Sequence, residues 1–134
     1  MKISRRKIDP TSERGQAMTE FAIVLPILCL LLFGIVQLGA VWNDYVAVTD
    51  AARTGARKAA VSRHTDPNDG CDTARSSAGD LNQDRLFCGV TVSGPLDRPG
   101  SDVTVRVTYP YSINLLGFVV AEGSLESKTT ERME

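Results

Sequence analysis

The spacing of hydrophobic positions changes twice along the chain. From Phe21 to Trp42 nearly every residue is apolar, Gln37 is the one strongly polar side chain, and no charge occurs from Phe21 to Asn43. About 20 apolar residues suffice for a helix to cross ~30 Å of hydrocarbon. A cleavable secretory signal has a shorter apolar core of about 7–15 residues followed by a small-residue cleavage site. The run here is longer and no such site follows it, so residues 16–43 are expected to form a transmembrane helix. A buried core helix is disfavoured, because the roughly 90 residues that follow can hardly enclose it.

Beyond Asn43 the period becomes that of a half-covered helix. At 100° per residue, Val48, Ala51, Ala52, Gly55 and Ala59 fall on one side, and Asp50, Arg53 and Arg57 on the other. The seam is made of small residues, so it lets another element come close. Residues 44–61 are therefore read as an exported continuation of the same helix, about 46 residues and ~70 Å in all. The helix should stop in His64-Thr65-Asp66-Pro67-Asn68-Asp69-Gly70, a dense turn signal. After that the spacing becomes two. Phe87–Val92 and Val103–Tyr109 are β-branched and alternating, with Gly94-Pro95 and Pro99-Gly100 between them, and Ser124–Thr130 alternates as a third strand. Ile113–Val120, apolar with Gly117, reads as a loop or short helix on the sheet. The fold class predicted is α+β, a long N-terminal membrane-spanning helix extending into a small antiparallel β-sheet domain over residues 62–134.

Charge gives this picture a direction. The 134 residues carry a net charge of −1, which decides little by itself. Residues 1–15, a polar segment containing Pro10 and expected to be a disordered cytoplasmic leader, hold Lys2, Arg5, Arg6, Lys7 and Arg14 against Asp9 and Glu13. Residues 44–134 hold ten basic and thirteen acidic side chains. Basic flanks stay on the cytoplasmic side, so the N-terminus is expected inside and the C-terminal domain outside, with Trp42 and Tyr45 as an interfacial aromatic belt. An acidic body argues against nucleic-acid binding. Cys71 and Cys88 would then reach an oxidising space and are expected to form a disulfide, while Cys29 lies within the apolar run. Metal binding is not expected, since Cys71, Cys88 and the lone His64 have no ligand spacing. No cofactor is expected either. No nucleophile–base set and no phosphate-binding loop is recognisable, so the chain is not expected to be an enzyme.

The remaining signal precedes the apolar run. Arg14-Gly15-Gln16-Ala17-Met18-Thr19-Glu20-Phe21 sets a glycine at the cytoplasmic edge and a carboxylate five positions on. A charge drawn into lipid costs a few kcal/mol, so Glu20 calls for a partner. A cut after Gly15 would turn Gln16 into an α-amino terminus able to pair with Glu20 of its own first turn or of a neighbouring chain. Taken alone, Glu20 is explained equally as a residue marking the membrane surface near the positive end of the helix dipole. Pro26 has two readings, a proline tolerated in a membrane helix or a loosened point easing extraction from lipid. Gly34 and Gly39 are five apart and make no dimer motif.

The basic leader, Gly15, Glu20 and the hydrophobic helix together resemble the class III signal of type IV pilin-like proteins. The string from Arg14 to Pro26, and Asp50-Ala51-Ala52-Arg53-Thr54-Gly55-Ala56-Arg57, resemble TadE-like proteins. That resemblance implies a minor pilin or pseudopilin of a tight-adherence (Flp) pilus system in the bacterial inner membrane. It implies cleavage between Gly15 and Gln16 by a prepilin peptidase, an assembly role for Glu20, and other pilins and pilus assembly proteins as partners. The alternative is a membrane-anchored binding or adhesion module that is never cut.

Overall fold

The computed structural model describes residues 10–62, 66, 68–95, 100–115 and 117–133. The basic positions Lys2, Arg5, Arg6 and Lys7 of the leader, and His64 and Pro67 of the turn signal, lie outside them. Helix α1 runs over Pro10–Val61, 52 residues. It is followed by α2 (Asp69–Ser77), a 3-10 turn (Gln83–Arg85), and strands β1 (Phe87–Ser93), β2 (Asp102–Leu115) and β3 (Phe118–Arg132). The architecture is the α+β arrangement expected. The structure divides after Val36 into two compact units.

In the first unit α1 starts at Pro10 and not at Gln16. Proline suits the first helical turn, because its fixed φ is helical and its missing N–H would go unpaired there anyway. Helix runs unbroken through Pro26, although the ring removes the hydrogen bond that the carbonyl of Ala22 would otherwise accept. From Gly15 to Phe33 every residue is exposed. The helix is long and apolar enough to cross a membrane, and none of its most apolar window is buried. Gly34 and Gly39 face open space.

The second unit begins at Gln37. Here α1 turns from large exposed side chains to small buried ones. Val48, Ala51, Ala52, Gly55, Ala56, Ala59 and Ala60 are buried, and Asp50, Arg53 and Arg57 are exposed, which is the seam read from the helical period. Two glycines set how closely α2 approaches it. A Cβ on Gly55 would stand 2.6 Å from the Gly70 carbonyl oxygen and 2.9 Å from the Ala74 Cβ, and one on Gly70 would stand 2.8 Å from the Ala59 Cβ. Helix α2 was not legible in the sequence. Its residues Asp-Gly-Cys-Asp-Thr-Ala-Arg-Ser-Ser are weak helix formers, and nine residues are too few to hold a helix without tertiary contacts. Docking of Ala74 and Ala78 into the core, with the buried Cys71 tied to Cys88, supplies those contacts.

The sheet has the order β1-β2-β3, antiparallel throughout. β2 is its centre. Val103, Val105, Val107 and Tyr109 point into the core, and Asp102 and Arg106, exposed in the intervening series, lie on the opposite face, as strand alternation requires. Cys88, Val90 and Val92 of β1 pair with Val107, Val105 and Val103 and pack against the same core. The outer face is polar, with Thr104 Oγ1 and Thr130 Oγ1 2.8 Å apart and Arg106 bridging Glu126 at 3.2 Å. At the chain's end the Gly100 N–H donates to the Met133 carbonyl and the Met133 N–H to that of Ser101, at 2.9 and 2.8 Å.

One expectation is corrected here. Ile113–Leu115 and Phe118–Val120, expected as a loop or short helix, are strand. β2 and β3 continue past the reach of β1, whose register ends at Phe87↔Thr108, and run as a two-stranded arm to Leu115↔Phe118. Gly117, at φ +88°, sits in the connection, and a register shift falls between Ile113 and Asn114. Pro110, which has no N–H, lies where β2 pairs with β3 alone. On β2, Tyr111, Ile113 and Leu115 are half-buried and alternate with exposed Ser112 and Asn114, but Phe118–Ser124 of β3 is exposed throughout and its sequence lacks the in-and-out alternation by which strands are recognised.

Candidate processing and assembly site

Gly15, Gln16 and Glu20 share the first turns of α1, all exposed. Residues four apart on a helix stack on one face. The Gln16 Nε2 accordingly donates to the Glu20 Oε1 at 3.2 Å, and the Thr19 Oγ1 donates to the Gly15 carbonyl at 2.9 Å. Residue 16 and the carboxylate are thus within contact of each other. The Thr19 contact was not foreseen. Its signal was a hydroxyl residue four positions after the glycine, the spacing at which such side chains bond back to a helical carbonyl. Among the described residues a Cβ at Gly15 would meet nothing within 4 Å, so their packing does not require a glycine there. The Gly15–Gln16 peptide bond lies inside the helix and not at its start.

Cys71 and Cys88 are joined as expected, with Cα atoms 5.6 Å apart and a sequence separation of 17. The bond ties α2 to β1. Cys29 is free and exposed. Among the described residues no group of three or more His, Cys, Asp or Glu side chains could hold a metal ion.

The exposed, uninterrupted helix carrying Gly15 and Glu20 at one end and the small-residue seam at the other is the part of the chain with a counterpart elsewhere. Residues 15–57 match the TadE-like protein family. The match covers less than half of the chain. The TadE-like segment begins at Gly15, takes in Gln16, Glu20 and the apolar run, and extends through Gly55 of the seam. It ends before α2 and the sheet. No curated protein and no solved structure matches the chain.

Proposed function

We propose that the chain is a minor pilin or pseudopilin of a tight-adherence (Flp) pilus assembly and secretion system, with a structural and not a catalytic role. The observation that carries this reading is the TadE-like match beginning at Gly15, on a helix whose side chains from Gly15 to Phe33 are exposed all round. Such a helix needs lipid or other subunits to cover it. On this reading the chain sits in the bacterial inner membrane with its basic end in the cytoplasm and its disulfide-bonded domain outside.

A prepilin peptidase cuts after Gly15, having first opened the helical turn that holds the bond. Gln16 then carries the new ammonium, on the helical face that Glu20 shares. An unpaired charge in a filament interior costs several kcal/mol and a paired one much less. The carboxylate therefore pairs with the ammonium of an adjacent subunit and sets the axial register.

Mass spectrometry of the mature N-terminus tests this. Gln16 as first residue, and full-length precursor from Gly15→Val, are the results expected. Met1 as first residue in envelope material overturns it in favour of the uncut, membrane-anchored module, the reading that an unbroken helix through Gly15 supports.

A further inference from the structure

Two charge-free stretches of the chain meet in space. One is the end of the apolar run, whose last part, Gln37–Asn43, belongs to the second unit. The other is Val107–Ala121, fifteen residues without a charged side chain, which forms most of the β2–β3 arm. They touch where the Gln37 Nε2 donates to the Asn114 carbonyl at 3.2 Å. Closer to the core, Leu38, Val41, Trp42, Tyr45 and Leu125 line an apolar groove between helix and arm. At the tip, Phe118, Val119 and Val120 are 77%, 58% and 61% exposed. Large apolar side chains left bare on a soluble surface mark a contact.

We propose that the tip of the β2–β3 hairpin is a second membrane contact, seated among the headgroups of the leaflet through which α1 leaves the bilayer. The inference rests on α1 spanning the membrane. Depth argues for lipid. Gln37 lies five residues before Trp42, about 7–8 Å along the helix axis. Trp42 and Tyr45, with ring centroids 5.9 Å apart, are the pair that would lie at the headgroup level. The hairpin tip, bonded beside Gln37, therefore reaches about 7–8 Å or more below that level. Chemistry sets the limit of insertion. Beyond Tyr109 the arm has two strands and two open edges, and unpaired backbone groups are not tolerated in hydrocarbon. The tip therefore stops in the interface, where apolar side chains bury ~5–10 Å deep while polar groups stay hydrated. Glu122, the first charge after the tip, lies back along the arm. A contact made for a second copy of the chain has no reason to stand level with the end of the charge-free helix.

Depth-dependent fluorescence quenching tests the proposal in the full chain, reconstituted in phosphatidylcholine–phosphatidylglycerol vesicles. Trp42→Phe removes the native tryptophan, and single tryptophans are then placed by Phe118→Trp, Leu31→Trp and, on the polar face of the sheet, Thr91→Trp. Lipids brominated near the headgroup should cut the emission of the Phe118→Trp protein roughly two-fold, as ~5–10 Å insertion requires. Lipids brominated near the chain end should quench the Leu31→Trp protein most and leave the Thr91→Trp protein unchanged. Quenching of Leu31→Trp without Phe118→Trp overturns the hairpin contact and leaves the span standing. Quenching of neither overturns both. Emission of Phe118→Trp that ignores bromine yet shifts to the blue with rising protein density assigns the tip to a second copy and overturns the lipid assignment.

Discussion

Leu31 and Ala52 belong to the same helix, and both are apolar. Leu31 is 61% exposed and Ala52 is fully buried. The contrast holds along both halves of α1. Up to Val36 most of the apolar side chains are large, and among the described residues nothing buries them. From Val48 to Ala60 the buried ones are almost all alanine, with Gly55 among them. Hydrophobicity does not sort the halves, because the more apolar half is the exposed one. Size does. Large side chains along a lone helix offer area to a surrounding medium or to other subunits. Small ones let α2 approach until its Gly70 carbonyl would meet a Cβ at Gly55. The first half is built for an environment and the second for a fixed neighbour.

The comparison can be broken most severely at Gly55. Gly55→Val would place side-chain atoms against the Gly70 backbone and Ala74. Overpacking ordinarily costs ~1–3 kcal/mol, and here a backbone carbonyl has to move, so α2 should undock and the second unit should lose its cooperative melting transition. Protease resistance of Gln37–Glu134 reads this directly, and wild-type resistance would show that the seam has room to spare. Next in size is the covalent tie. Cys71→Ser, or reduction of the native chain, should lower the unfolding free energy by about 3 kcal/mol on the chain-entropy model for a loop of this length, seen as a shifted denaturation midpoint.

A matched pair sharpens the contrast. Val105→Ala deletes two fully buried methyl groups and should cost ~2 kcal/mol at ~0.8 kcal/mol per group, plus a cavity contribution. Leu31→Ala, which removes more carbon, should shift the stability of the second unit by less than ~0.5 kcal/mol. Equal costs would refute the division of labour within α1. The smallest effect on stability belongs to Glu20→Gln, again under ~0.5 kcal/mol. Cleavage and insertion should persist, and the loss should appear only as reduced co-purification with partner subunits.

Legibility in the sequence followed packing. The seam on α1 and the three strands could be read because each has one covered face, and coverage writes a period into the residues. Val103, Val105 and Val107 are buried because they alternate toward that face. Where nothing is covered, no period exists. This is why Phe118–Val120 of the arm reads as a loop or short helix, although Tyr111–Leu115 on the facing strand does alternate. Helix α2 escaped for a different reason, since its contacts come from a partner distant in sequence and from one disulfide, and neither leaves a local pattern. At the candidate site, the residues Gly15, Gln16 and Glu20 were legible from charge and spacing, and Cys71 and Cys88 from their place beyond the apolar run. The extension of helix back to Pro10 was not, because polar residues can be helical without showing any periodicity.

The Cys71–Cys88 bond also has a mechanical meaning. The loop it closes holds α2 from Cys71 onward, the 3-10 turn and the first two residues of β1, while α1, β2 and β3 lie outside it. A pull entering through α1 and leaving through β3 is borne first by the seam and by the β2–β3 ladder, with the covalent clasp in series behind them. Should those yield, the clasp, which holds Cα atoms seventeen residues apart at 5.6 Å, withholds roughly 50–55 Å of extension at ~3.3–3.6 Å per residue. In a force–extension trace the oxidised chain should lengthen by that much less than the reduced one.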